Sequence, residues 1–203
     1  MADNYVITIG RQSGSGGREI ARKLAEKLGV KCYDKELLEK AAKDNGLCPQ
    51  FMELYDEKPT NSFLYSLAMG TYSFRADSKP LMLQMYLAQF NTIKEIAAQE
   101  SCIIVGRCAD YILTGYPNVV SVFVYGDLPA RIERMAEELK LSPKEAEEYV
   151  AKTDKGRAGY YNYYTNKKWG KAQSYDLCVD SLKLGIDETV DLIASYMKLK
   201  GAI

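Results

Sequence analysis

Residues 6–20 read Val6-Ile-Thr-Ile-Gly-Arg-Gln-Ser-Gly-Ser-Gly-Gly-Arg-Glu-Ile20, and they set the architecture that we expect for the whole chain. The β-branched start predicts a buried strand, and apolar residues at helical spacing from Ile20 to Leu28 predict the helix that follows. The glycines at positions 10, 14, 16 and 17 permit positive φ angles and close approach to a ligand. N–H groups in such a turn, at the start of a helix, attract anions. We therefore expect residues 10–19 to cradle phosphate, with a connector that binds nothing as the alternative.

The glycine spacing departs from the two common nucleotide-binding signatures. Compared with the P-loop signature G-x-x-x-x-G-K-[ST], Gly10 and Gly16 are one residue too far apart. The lysine and hydroxyl residue that end that signature are replaced by Gly17, Arg18 and Glu19. The dinucleotide signature G-x-G-x-x-G would need a glycine at position 19. The turn therefore predicts phosphate binding without specifying the ligand.

Beyond the turn, short apolar runs alternate with helical patterns. Further strands are predicted at 31–34, 102–105, 119–124 and 175–179. From Cys48 to Gln99 the chain shows helical patterns broken at prolines and no strand signal, which we interpret as a helical insertion. Ser142 and Glu145 form a predicted capping box at the start of a later helix. Strands separated by helices imply right-handed crossovers and a mostly parallel sheet covered on both faces.

The composition excludes several classes of protein. The 203 residues make one domain the default, and 27 Lys+Arg balance 27 Asp+Glu, so we expect no nucleic-acid partner. The absence of histidine excludes Ser-His-Asp and Cys-His catalysis and imidazole-based zinc sites. The 5 cysteines include no C-x-x-C pair, which argues against a disulfide framework and favours a cytoplasmic protein. No apolar run reaches the roughly 18 residues of a membrane span, so we expect no membrane partner.

Several ordered motifs resemble those of the cytidylate kinase-like family over nearly the whole chain. They are the stretch from Ile7 to Ile20, Tyr33-Asp-Lys-Glu-Leu37, Ile104-Val-Gly-Arg107, and the segment from Asp154-Lys-Gly-Arg157 to Trp169. The resemblance implies an α/β, three-layer P-loop NTPase fold with a parallel five-stranded sheet. It also implies a single nucleoside-monophosphate-kinase-like domain over 1–203, with a helical acceptor-binding insertion at 35–100 and a helical lid at 142–172.

The same resemblance implies transfer of the ATP γ-phosphoryl group to a nucleoside monophosphate, with CMP or dCMP as the expected acceptor. Magnesium would arrive with the nucleotide. The partners would be small-molecule nucleotides, and the protein would be a monomer or a homodimer. Phosphoryl transfer spreads negative charge over the equatorial oxygens, so it needs positioned cations and N–H donors rather than a histidine nucleophile.

Candidate site residues follow from these family motifs. The candidate catalytic residues are Arg157 and Arg18. The ATP phosphates would be held by Ser13, Gly14, Ser15, Gly16, Gly17, Arg18, Glu19, Arg131 and Arg134. The acceptor monophosphate would be held by Asp34, Lys40, Arg107, Asp154 and Arg157, and the candidate metal ligand is Glu19.

Three departures from the family pattern keep alternatives open. Gly17 stands at the P-loop lysine, Glu19 at the hydroxyl residue that helps to hold magnesium, and Val105 at the acidic residue before Gly-Arg. A nucleotide-binding regulatory protein with little kinase activity therefore remains an alternative. A kinase for another small acceptor is a second alternative, because the insertion carries no readable specificity code.

Some of these side chains also have ordinary structural interpretations. The charges of Arg131 and Arg134 would suit a solvated helix face, and Lys40 would suit any charged helix. The aromatic stretch from Tyr160 to Trp169 would suit base stacking, but packing of the lid against the body, or a subunit contact, is the stronger expectation.

Overall fold

The strands of the protein form one parallel sheet. A computed structural model describes residues 4–47, 57 and 81–203. Its strands are β1 (Val6–Arg11), β2 (Lys31–Tyr33), β3 (Cys102–Val105), β4 (Val119–Tyr125) and β5 (Leu177–Asp180). They pair in the order β2-β3-β1-β4-β5, and every described pairing is parallel. The predicted five-stranded parallel sheet is confirmed.

Helices connect these strands along the chain. They are α1 (Gly17–Leu28), α2 (Lys35–Asp44), α3 (Leu81–Gln99), α4 (Ala109–Ile112), α5 (Leu128–Leu139), α6 (Pro143–Thr165), α7 (Ser181–Leu184) and α8 (Ile186–Leu199), with a 3-10 turn at Ala172–Ser174. None of the described helices is long and apolar enough to cross a membrane.

The two faces of the sheet are buried under different helices. Because side chains alternate along a strand, Ile7 and Ile9 of β1 point to one face, where they pack with apolar residues of α1 and α8. Val6 and, in β3, Ile104 pack on the opposite face with residues of α3 and α4. Helices therefore cover both faces, and the predicted three-layer architecture is confirmed.

The last strand begins later than the sequence predicts. We expected it from Tyr175, but β5 starts at Leu177. The N–H of Tyr175 donates to the carbonyl of Ala172, which closes the 3-10 turn and keeps this residue out of the sheet. The ring of Tyr175 instead packs against Phe123, with ring centroids 4.9 Å apart.

The insertion and the lid are described to different extents. Both α2 and α3 are helical, as predicted for 35–100. Residues 48–56 and 58–80 lie outside the described residues, and so do the predicted breaks at Pro59 and Pro80. The lid helix α6 begins with the predicted capping box, in which Ser142 accepts from the N–H of Glu145 and Glu145 accepts from the N–H of Ser142.

The aromatic part of the lid packs against the rest of the protein. Tyr160 and Tyr161 are buried, and Tyr164 stacks on Tyr86 of α3 with ring centroids 3.9 Å apart. Trp169 meets Phe123 of β4 edge to face at 5.2 Å. The structure supports packing rather than base stacking for these rings.

The strand order places a crevice above the carboxyl end of β1. From β1 the chain runs to β2, toward one edge of the sheet, whereas from β3 it runs to β4, toward the other edge. Ligands of open α/β sheets bind where connections diverge in this way. Both the glycine-rich turn after β1 and the Gly106-Arg107 turn after β3 lie at this edge.

Candidate phosphate-binding site

The glycine-rich turn is held in place by a hydrogen bond of its own and by two neighbouring segments, β4 and α7. The N–H of Gln12 donates to the carbonyl of Val124, and the hydroxyl of Ser15 donates to the carbonyl of Gln12 at 2.9 Å. From α7, the hydroxyl of Ser181 donates to the carbonyl of Ser15 at 2.6 Å. Because these bonds come from separate parts of the chain, the turn is shaped before any ligand arrives.

Two glycines of the turn have conformations that other residues rarely adopt. Gly14 has φ 78° and Gly16 has φ 73°. A side chain at Gly14 would also collide with the main chain of Arg131. Gly16 is the N-cap of α1, and no side chain caps this helix. The first N–H groups of α1 therefore have no partner from a cap and remain available to an anion.

A cleft of about 710 Å³ opens above this turn. The predicted residues that line it are Ser13, Gly14, Gly16, Gly17, Arg18, Glu19, Arg134 and Arg157. Others that line it are Arg11, Gln12, Arg22, Met135, Glu137, Glu138, Leu139 and Tyr149. The structure thus brings most of the predicted phosphate-binding residues and both candidate catalytic arginines to one place.

Arg131 and Asp154 brace the turn. Arg131 is only 6% exposed, and its guanidinium donates to the carbonyls of Gly126 and Ser13. It also pairs with Asp154 of α6 at 2.7 Å. The second carboxylate oxygen of Asp154 accepts from the N–H of Ser13 at 2.7 Å. Helix α6 is therefore joined directly to the glycine-rich turn, and Arg131 is a buried support rather than a solvated helix charge.

Asp34 joins two predicted arginines at the end of β2. Its carboxylate pairs with Arg107 and with Arg18, each at 2.5 Å. Arg107 is 1% exposed and also donates to the carbonyl of Val105. Burial disfavours the charged form of Asp34, but the charge and hydrogen bond of Arg107, together with Arg18, outweigh it and hold the pKa of Asp34 below its usual range.

Two other predicted residues, Lys40 and Glu19, form ion pairs of their own. Lys40 pairs with Asp44 one turn along α2, at 2.8 Å and with its side chain 37% exposed, and it does not line the cleft. Its binding role stays a prediction. Glu19 lies at the cleft, but its carboxylate pairs with Arg134 at 2.7 Å and with Lys23 at 3.5 Å.

Sequence reasoning missed two residues of the site, Arg11 and Glu57. Glu57 accepts from the guanidinium of Arg11 at 2.6 Å, from that of Arg157 at 3.2 Å, and from the N–H of Arg107 at 3.2 Å. Burial opposes its ionisation, but the charges of Arg11, Arg107 and Arg157 keep the pKa of Glu57 far below its usual range. Arg11 stood inside the quoted stretch, whereas nothing in the local pattern distinguished Glu57 from the other acidic residues of the insertion.

Arg157 links this carboxylate to the cleft. Besides Glu57, its guanidinium donates to the carbonyl of Arg11 at 3.2 Å. Burial, followed by the charge of Arg11, lowers the pKa of Arg157 to about 10. At neutral pH the side chain is still a cation, so it can stabilise negative charge in the cleft.

Arg11 gives a steric reason for the glycine at position 17. A Cβ on Gly17 would lie 2.5 Å from the Cβ of Arg11. We expect Gly17→Ala to push Arg11 aside and lower the free energy of unfolding by about 1–3 kcal/mol. Urea unfolding of Gly17→Ala in the wild-type and Arg11→Gly backgrounds tests this as a double-mutant cycle. An equal cost in both backgrounds would contradict the steric explanation.

The low pKa values of two carboxyl groups of the site, Asp34 and Glu57, predict acid lability, to which the lowered pKa values of Glu100, Glu145 and Asp176 also contribute. In the folded protein the pKa values of Asp34 and Glu57 lie below their ordinary values of 3.8 and 4.5. The charged carboxylates therefore stabilise the folded protein fully above their ordinary pKa values. This stabilisation is lost as the pH falls through the pKa values of the folded protein. Asp110, whose pKa is raised by burial, acts in the opposite direction. We expect urea unfolding to show a falling free energy from pH 5 to pH 3, and a constant value over that range would count against these pairs.

The chain is similar to known proteins over most of its length. The model of the cytidylate kinase-like family matches residues 6–183. A cytidylate kinase of Methanopyrus kandleri is 23% identical over 200 residues, which cover 94% of this chain and 91% of that protein. The crystal structure of a protein from Eubacterium ventriosum is 32% identical, with a TM-score of 0.74 and coverage of 96% of this chain and 99% of that chain.

A more distant solved structure shares the fold. The shikimate kinase of Acinetobacter baumannii, in complex with shikimate, superposes with a TM-score of 0.53 at 12% identity, over 97% of this chain and 94% of that chain. Family and fold are those of P-loop kinases. The match of the family model over residues 6–183 shows that this chain belongs to the cytidylate kinase-like family.

Proposed function

We propose that the protein transfers the γ-phosphoryl group of ATP to a nucleoside monophosphate, with CMP or dCMP as the acceptor. The observation that carries this proposal is the glycine-rich turn before the uncapped start of α1, together with the cleft above it, which Arg18 and Arg157 both line. A helix start with available N–H groups holds phosphate, and converging guanidiniums stabilise the charge that develops during transfer.

Each group has a defined task in this proposal. The turn from Ser13 to Arg18 would hold the phosphates of ATP through the uncapped N–H groups at the start of α1, because the N–H of Ser13 already donates to Asp154. Arg157, fixed at the cleft by its bond to the Arg11 carbonyl, would neutralise the migrating phosphoryl group. The planar guanidinium suits this task, because it binds phosphate oxygens in a two-pronged manner. Asp154 would set the position of the lid on the turn.

The described residues do not offer magnesium a protein cage. No group of three or more potential ligands occurs among them. Glu19 fits a metal poorly, because Arg134 and Lys23 already hold its carboxylate. Magnesium would therefore reach the site on the nucleotide phosphates, as it does at sites that bind it through substrate phosphates.

The choice of CMP or dCMP rests on the family and on the name of the Methanopyrus kandleri relative. A coupled ADP-release assay with CMP, dCMP, UMP, AMP, GMP, shikimate and gluconate would test it. The proposal predicts the highest kcat/KM with CMP or dCMP. If only shikimate or gluconate were phosphorylated, the protein would still be a kinase but with a different acceptor. If folded protein phosphorylated no acceptor, phosphoryl transfer would be refuted.

A nucleotide-binding regulator is the second candidate. It is favoured by the missing lysine at Gly17 and by Asp154, which occupies the Ser13 N–H that a phosphate would otherwise take. Calorimetry that shows ATP binding, together with no ADP release in the acceptor panel, would support this candidate over the first.

A further inference from the structure

A buried carboxylate occupies the crevice between β1 and β3. Glu57 lies against the ends of both strands, because it contacts Arg11 at the end of β1 and the N–H of Arg107 after β3. Its side chain is 11% exposed, and the side chains of Arg11 and Arg157 are 5% and 16% exposed. Three donors from three separate parts of the chain therefore converge on one carboxylate at the place where open α/β sheets bind ligands.

The absence of a side chain at Gly106 leaves space for the Glu57 carboxylate. Gly106 has φ 74°, and a side chain there would collide with both the Glu57 carboxylate and the Arg11 guanidinium. The crevice is thus shaped at the main-chain level to hold an oxyanion between the two strand ends. Arg11 and Arg157 line both this crevice and the cleft above the glycine-rich turn, so the two cavities share these guanidiniums.

Among the described residues, two guanidiniums share the carboxylate of Glu57. Arg107 pairs with Asp34, whereas Arg11 and Arg157 both pair with the single negative charge of Glu57. Burial and then the charge of Arg11 lower the pKa of Arg157 to about 10, although the charges of Glu57 and Asp154 act in the opposite direction. A dianion between them would match their charge better than a carboxylate does.

We propose that Glu57 is an internal ligand of an oxyanion site formed by Arg11, Arg157 and the Arg107 N–H, and that a phosphate monoester binds there by displacing it. That this phosphate monoester is the acceptor rests on the proposed function, whereas the oxyanion site itself does not depend on phosphoryl transfer. In this account Arg11 is a binding residue for the acceptor, and Glu57 keeps the two buried cations paired until the acceptor arrives.

Removing the charge of Glu57 tests the site. Glu57→Gln keeps the size of the side chain but no longer competes with an incoming anion. We expect calorimetry to show that Glu57→Gln binds inorganic phosphate and CMP about tenfold or more tightly than the wild type, and thermal unfolding to show a larger rise in Tm with added phosphate. Glu147→Gln, an exposed substitution on α6 with the same change in charge, should leave both quantities at the wild-type values.

The double variant Arg11→Gln/Glu57→Gln separates this site from the phosphate turn. It leaves the turn intact and restores the charge balance, so we expect it to fold and to lose the gain in phosphate affinity. Equal phosphate affinities in Glu57→Gln and wild type, or a gain that survives in the double variant, would overturn the proposal.

A structure of the wild type with CMP gives a second test that does not depend on the folding of any variant. The proposal predicts the CMP phosphate between Arg11 and Arg157, with Glu57 moved away. Glu57 still paired with Arg11, or no CMP in the crevice, would overturn it. None of these measurements uses turnover, so a protein that shows the gain in Glu57→Gln but releases no ADP would retain this site and lose the proposed function.

Discussion

Arg157→Ala is expected to lower kcat by roughly 10³-fold or more, as loss of an arginine that stabilises the transferring phosphoryl group does. The reason is geometric. α6 places Arg157 one turn after Asp154, and Asp154 fixes that helix to the turn through the Ser13 N–H. A cation that is already placed at the cleft needs little reorganisation to meet the charge of the transition state. The ADP-release assay with saturating CMP and ATP measures the effect.

Two further variants define what the Arg157→Ala result means. Lys155→Ala removes an exposed cation from the same helix and should leave kcat near that of the wild type. Arg157→Lys keeps the charge but loses the planar fork, and we expect it to recover only part of kcat. A folded Arg157→Ala variant whose kcat lies within tenfold of the wild type would remove Arg157 from the chemistry.

Asp34→Asn should have the largest effect on stability. The substitution removes the charge that faces Arg107, a guanidinium that is 1% exposed, and it also releases Arg18. Removal of one partner from a buried ion pair typically costs about 3–5 kcal/mol. For a chain of this length each kcal/mol lowers Tm by about 2–4 °C. Calorimetric or urea unfolding measures the loss.

The pair Lys40–Asp44 provides the matched control. Both side chains are 37% exposed, and the pair lies one helical turn apart on α2. An exposed pair of this kind contributes about 1 kcal/mol or less, so Asp44→Asn should unfold almost as the wild type does. Similar losses in Asp34→Asn and Asp44→Asn would show that the Arg107 pair is not the buried support that the structure describes.

The sequence predicted the parts of the fold that depend on local pattern. The strand from Val6, the glycine-rich turn, and the capping box at Ser142 each occupy a continuous stretch, so propensity and spacing were sufficient. The start of β5 was predicted two residues early, because the N–H of Tyr175 is used by a preceding turn that leaves no apolar signature.

The sequence predicted most of the residues that line the cleft, but not Arg11 or Glu57 and not the contacts between them. Asp154 and Ser13 are 141 residues apart, and no local pattern shows that the carboxylate of one accepts from the N–H of the other. The same holds for Arg11 and Glu57, which are 46 residues apart. The departure at Gly17 had no explanation in the sequence, whereas the structure gives one, since the Cβ of Arg11 fills the space that a side chain would need.

A structure of the protein with a non-hydrolysable ATP analogue tests the central claim most directly. We expect the triphosphate to lie on the turn from Ser13 to Arg18 and on the uncapped N–H groups at the start of α1, with the guanidinium of Arg157 within hydrogen-bonding distance of the γ-phosphate. A triphosphate bound away from this turn, or seated on it with Arg157 still joined to Glu57 and out of reach, would contradict the account.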